Sequence, residues 1–62
     1  MKNRIKILRE SLKISQKELA KITEISQYRL SLIENNKIKD MRYSTVRKIA
    51  IALQCPAEML FD

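Results

Sequence analysis

Residues 16–35 read QKELAKITEISQYRLSLIEN, and this stretch decides the fold. It has the form of two short helices joined by a tight turn, the second opening at Ser26. At about 100° per residue, Leu30 and Ile33 point to one side of that second helix. Gln27, Tyr28, Ser31, Leu32 and Asn35 occupy the opposite arc. A short helix buries one apolar stripe on its own domain. The other face here is mostly uncharged and hydrogen-bonding, unlike the Lys/Glu mixture of an ordinary solvated helix. Such a face suits reading another molecule, and base edges in a DNA major groove are the leading candidate.

Working outward, Ser15 with Glu18 three residues on forms a capping box for the first helix of the pair. Leu19 and Ile22 supply its apolar contacts, and Ala20 is small where the two helices cross. Thr23, Glu24 and Ile25 make the turn, with Ile25 facing inward, and Ser26 is a good N-cap. Upstream, the spacing of Ile5, Leu8 and Leu12 predicts a helix over residues 2–12. Arg9 falls on its apolar side, and Glu34 sits at the edge of the reading helix's core face. Two opposite charges on inward-facing positions predict a partly buried ion pair joining these helices. Downstream, residues 36–42 are a polar, basic connection. Ser44 is the expected cap of a helix running to about Gln54, with Val46, Ile49, Ala50 and Leu53 as its stripe. Pro56 fits the first position of a last short helix. The expectation is one all-α, compact five-helix domain over residues 1–62.

Composition narrows the function. Thirteen basic residues against seven acidic ones give a net charge of +6. Lys2, Arg4, Lys6 and Arg9 crowd the start, and Lys37, Lys39, Arg42, Arg47 and Lys48 follow the reading helix. The last fourteen residues hold Glu58 and Asp62 and no base. Charge segregated in this way is the footprint of a polyanion binder with one end turned away. The chain has no His and a single cysteine, Cys55. The usual zinc sets, an intrachain disulfide and a histidine base are therefore excluded. No metal, cofactor, small-molecule ligand or catalytic activity is expected. No run approaches the roughly 20 apolar residues of a membrane span, and the expected setting is cytoplasmic, on the nucleoid.

The opening IKILRESLKISQKELA, the small Ala20, the SQYRLSLIEN helix and the closing STVRKIAIALQCPAEMLF together resemble the Cro and phage-repressor type of helix-turn-helix domain. The likeness runs through essentially the whole chain. It implies a lambda-repressor-like fold that binds double-stranded DNA. By that resemblance Gln16 touches a backbone phosphate and braces the first residue of the reading helix. Lys17 and Ser26 join it against phosphate, the helix dipole favouring an anion there. Gln27, Tyr28 and Ser31 face base edges, with Leu32 beside them. Asn35, Lys37, Lys39 and Arg42 meet a second stretch of backbone, and an Arg9–Glu34 bridge is implied as well. A Gln27 carboxamide matches adenine N6 and N7, while Leu32 suits a thymine methyl, which favours an A·T-containing half-site.

Two departures stand out. The family commonly places glycine at four helix ends, where this chain has Lys13, Glu24, Asn36 and Gln54. Ile51 and Met59 are apolar where helical phase puts a polar residue. With Leu60 and Phe61 they form a candidate dimer surface. The resulting expectation is a transcriptional repressor binding a palindromic operator as a homodimer, the alternative being an antitoxin-like interaction module that also binds DNA. An RNA binder is disfavoured, because the deep A-form major groove does not admit a helix. Cys55 falls where the family has an aliphatic residue and is expected to fill a core slot.

Overall fold

The computed structural model describes residues 3–38 and 41–61, and Lys39, Lys2 and Asp62 lie outside them. The chain forms α1 (Ile5–Ser11), α2 (Gln16–Thr23), α3 (Gln27–Glu34) and α4 (Tyr43–Ala52), then one 3-10 turn at Ala57–Met59. Among the described residues there are thus four α-helices, not five. Pro56 opens a single tight turn because Met59 and Leu60 already bond back to Pro56 and Ala57. The core gathers Ile5, Leu19, Leu30, Ile33, Ile49, Ala50, Leu53 and Leu60, so every helix contributes.

Local chemistry explains the helix starts. Ser15 Oγ accepts from the Glu18 amide at 3.0 Å while the Glu18 carboxylate accepts from the Ser15 amide at 2.9 Å. This is the reciprocal capping box, satisfying two amides that the helix cannot. Ser26 Oγ accepts from the Arg29 amide at 3.1 Å and so caps α3. The first helix begins at Ile5 rather than residue 2, because Asn3 Oδ1 takes the Ile5 amide at 2.8 Å. The fourth helix is capped by Arg42, in an extended conformation, and not by Ser44, which lies within the first turn.

The helix ends share one device. Lys13, Glu24, Asn36 and Gln54 all take the left-handed conformation, with φ of 58°, 61°, 59° and 57°. These are the four positions where the resembling family has glycine. At three of them the next amide reaches back five residues in the Schellman pattern: Ile14 to Arg9, Lys37 to Leu32 and Cys55 to Ala50. Ile14 and Cys55 then pack on the core, which pulls the chain around despite the missing glycine. The fourth end is held otherwise. Buried Thr23 donates its hydroxyl to the Leu19 carbonyl at 2.8 Å and accepts from the Ile25 amide at 3.3 Å.

Three apolar assignments need correction. Leu12 caps α1 and is exposed instead of completing its stripe. Ile22 is 58% exposed and does not belong to the buried core. Leu60 is fully buried and so drops out of the candidate dimer patch, while Phe61 is half-buried against the core. The cause lies in the chain ends. Phe61 bridges to Asn3, and the Arg4 amide donates to the Leu60 carbonyl at 2.8 Å, which folds Leu60 inward. Ile51 at 66% and Met59 at 44% stay exposed.

Candidate nucleic-acid interface

The site is assembled by a relay of polar side chains that starts in the interior. Arg9 is buried on α1. Its Nε donates to Glu34 Oε2 at 2.9 Å and its Nη2 to Glu34 Oε1 at 3.3 Å. The remaining guanidinium nitrogen donates to the Ile14 carbonyl at 2.8 Å. The two side chains are only 9% and 3% exposed, so neither charge has water to fall back on. An uncompensated buried charge is costly, and full hydrogen bonding makes the burial tolerable. Among the described residues no buried side-chain polar atom lacks a partner.

Glu34 passes the constraint outward. Gln16 Nε2, at the first position of α2, donates to Glu34 Oε1 at 3.3 Å. Gln16 Oε1 then accepts from Gln27 Nε2 at 3.4 Å. An amide has two N–H donors, so Gln27 retains one donor and its carbonyl oxygen for a ligand. That is the donor–acceptor pair a carboxamide offers adenine.

Around Gln27 the reading face is open. Tyr28 is 75% exposed, Ser26 and Gln27 are exposed, and Ser31 and Leu32 are half-buried on the same helix. No acid lies in the first turn of α3, so the partial positive charge of its N-terminus is not cancelled from within the helix. Lys17 projects from the first turn of α2, and Lys37 and Arg42 are exposed in the connection after α3. Asn35 turns back on its own helix, donating to the Ser31 carbonyl at 2.8 Å. The proposed contact residue Lys39 lies outside the described residues. Glu24 places an exposed carboxylate in the turn between α2 and α3.

Two features escaped the sequence reading. Asn3 donates from Nδ2 to the Ile33 carbonyl at 2.6 Å, reaching the reading helix from the far end of the chain. Its position two residues before an apolar helical stripe was the available sign, since Asn is a common cap. Ile22 and Ile51 line one open surface groove with Thr23, Glu24, Lys48 and Ala52. Helical phase already marked Ile51 as out of place, whereas Ile22 was assigned to the core of α2 and is the unforeseen member of this groove.

Among the described residues no group of three or more His, Cys, Asp or Glu could hold a metal ion. Nor is any helix among them long and apolar enough to cross a membrane. The burial around Cys55 pushes its thiol above the ordinary value, as expected of a packing residue.

A protein-family model described as a helix-turn-helix domain matches residues 3–62. The chain therefore belongs to the helix-turn-helix domain family, in keeping with its likeness to Cro and the phage repressors. No relative with a curated description matches it significantly.

Proposed function

We propose that this domain is a sequence-specific regulator of transcription that reads double-stranded DNA with α3, acting as a repressor on a palindromic operator. The observation that carries the reading is the relay from Arg9 through Glu34 and Gln16 to Gln27. It fixes an exposed carboxamide at the tip of a capped helix, with Lys17, Lys37 and Arg42 exposed on the elements either side. A helix so presented suits a major groove about 12 Å wide. Gln27, Tyr28, Ser31 and Leu32 are then the base-facing set. Gln16, Lys17, Ser26, Asn35, Lys37, Lys39 and Arg42 face the phosphates. The half-site preferred by Gln27 and Leu32 contains an A·T pair.

Two copies are needed to read a palindrome. Exposed Ile51 and Met59 are the candidate contacts, and Ile22 lies beside Ile51 in the same groove. Two half-sites one helical turn, about 34 Å, apart would be bound by such a dimer. The setting proposed is the cytoplasm, on the nucleoid. The alternative, an antitoxin-like module, draws on that same groove as a docking face for another protein.

Selection of bound duplexes from random DNA, repeated across a salt series, tests the reading. The expected result is a recurrent palindrome, with affinity falling steeply as salt rises because phosphate contacts release counterions. Absence of any enriched motif, or a flat response to salt, would overturn it. An enriched single half-site would retain the reading and remove the homodimer.

A further inference from the structure

We propose that Asn3 is a positioning residue for the reading helix, latching the last turn of α3 to the start of α1 and thereby setting the angle at which α3 meets a ligand. The proposal rests on the DNA-binding reading above and adds a determinant of specificity to it.

The contact is made by one carboxamide with two jobs. Asn3 Oδ1 accepts from the Ile5 amide, one of the donors that the first turn of α1 cannot satisfy internally. Asn3 Nδ2 donates at 2.6 Å to the Ile33 carbonyl, one of the acceptors left over at the end of α3. The Asn36 amide also reaches that carbonyl, at 3.2 Å, so the latch closes on the same oxygen that begins the helix-ending turn.

The segment bearing Asn3 is itself tied down. Its backbone bridges to Phe61, and the next amide, Arg4, bonds to the carbonyl of fully buried Leu60. Asn3 can therefore transmit the position of the core to α3. Adjacent residues of α3 are held in this way by two separate points of the N-terminal segment: Ile33 by Asn3, and Glu34 by Arg9. Leu30 and Ile33 seat α3 on the core, and these two bonds add directional contacts at its C-terminal turn.

Direction matters more to base reading than to phosphate binding. Hydrogen bonds to base edges weaken steeply as their angles degrade, whereas a long lysine re-aims at phosphate with little loss. Loosening the latch should lower affinity for the preferred site and spare affinity for arbitrary DNA.

The variant Asn3→Asp separates the two jobs. Its carboxylate still accepts from Ile5, at a helix N-terminus where negative charge is favoured. It has no N–H for Ile33 and sets an oxygen against that carbonyl. Asn3→Ser, which keeps a short oxygen acceptor without the charge, serves as the second variant. Each is compared with wild type for binding to the duplex that wild type selects, for binding to a scrambled duplex, and for amide exchange at Asn36 and Lys37. Folding is verified by circular dichroism at the same temperature. We expect exchange at Asn36 and Lys37 to quicken in both variants. Affinity for the selected duplex should fall about tenfold, the scale of one net hydrogen bond, while scrambled binding stays level. Equal loss on both duplexes, or no loss on the selected one, would overturn the positioning role. Unchanged exchange would remove the latch itself. Should wild type prefer no duplex, the DNA reading and the role built on it fall together, and the exchange result still reports on the latch alone.

Discussion

Gln27 donates to Gln16 at 3.4 Å across the helix-turn-helix, and this contact orients both amides. Gln16 must present its oxygen to Gln27 because its nitrogen is already committed to Glu34 at 3.3 Å. The exposed tip of α3 is thus connected, through three side chains, to a guanidinium buried under α1. The placement of Gln27 therefore depends on Arg9, the member of this relay furthest from it.

Truncating either glutamine should be felt at the same base pair. Gln27→Ala is expected to relax preference there by about 1–3 kcal/mol. Gln16→Ala should produce a smaller relaxation at that position and no other, because it removes only the brace. Lys37→Ala should weaken binding to all sequences alike and lower the salt slope by about one. Competition binding with single-substituted duplexes, at several salt concentrations, measures all three.

Breaking the buried ion pair from one side should be severe. Arg9→Met leaves Glu34 without its charge partner at 3% exposure, and a loss of about 3–5 kcal/mol is expected. In a domain of 62 residues that is a large share of the total stability. Replacing both, as Arg9→Met with Glu34→Leu, should recover much of the loss, since apolar substitutes for buried pairs are often tolerated. Urea titrations of the two variants give the answer. A double variant no more stable than the single one would contradict this account.

The left-handed helix ends are places where stability can be gained. A residue with a Cβ pays about 1 kcal/mol to hold such a φ, and glycine does not. Lys13→Gly and Gln54→Gly should each raise the melting temperature by about 4–8 °C, the shift that 1 kcal/mol produces in a domain this small. Asn36→Gly should change little, because Asn tolerates this conformation. Glu24→Gly should stabilise and also remove a carboxylate from the turn, so DNA affinity should rise with it. Thermal melts and binding isotherms of the four variants rank them.

Acid should loosen α2 at its start. The backbone amide and then the hydroxyl of Ser15 hold the Glu18 carboxyl below its ordinary value of 4.5. Folding lowers this pKa, so its contribution is complete above 4.5 and is lost as pH falls through the folded value. Glu18→Gln keeps an acceptor for Ser15 but carries no charge. Wild type should exceed the variant in stability at neutral pH, and the gap should close below pH 4.5. Denaturation midpoints across pH 2–7 would show whether it does.

The exposed apolar residues give a test of self-association. Ile51→Lys with Met59→Lys should shift sedimentation from dimer toward monomer without unfolding, because both side chains are exposed. Leu60→Lys should instead unfold the domain, as that side chain is fully buried. Monomeric wild type at high concentration would dismiss this surface as the dimer contact.

Much of this architecture was legible in the residues, and the reason is local chemistry. The Ser15–Glu18 box, the Ser26 cap and the periodicity of Leu30 and Ile33 are all decided within a helical turn or two. The inward placement of Arg9 and Glu34 was also readable, because each charge broke an apolar stripe. What could not be read was settled by distant parts of the chain. Leu60 turns inward because Arg4 and Asn3 hold the backbone around it. Ile22 is left outside because α2 spends Leu19 and Thr23 on the interior. Ser44 is a better cap by preference than Arg42, yet α4 begins two residues earlier. For the site, the polar face of α3 was visible from phase alone, but the path of hydrogen bonds that steadies Gln27 crosses three helices and needed coordinates.

The Arg4–Leu60 bond has a consequence for how this molecule comes into being. Residues 4 and 60 complete each other, so this bond closes only after position 60 has been made, whereas Asn3 and Arg9 find Ile33 and Glu34 of α3 earlier. Long-range closure of this kind delays folding relative to neighbouring contacts. On the ribosome, α1, α2 and α3 all emerge before Leu60, without the backbone bond that later holds Arg4. A chain stalled before Leu60 should therefore carry all four relay residues, Arg9, Gln16, Gln27 and Glu34, on a core that lacks one of its fully buried members.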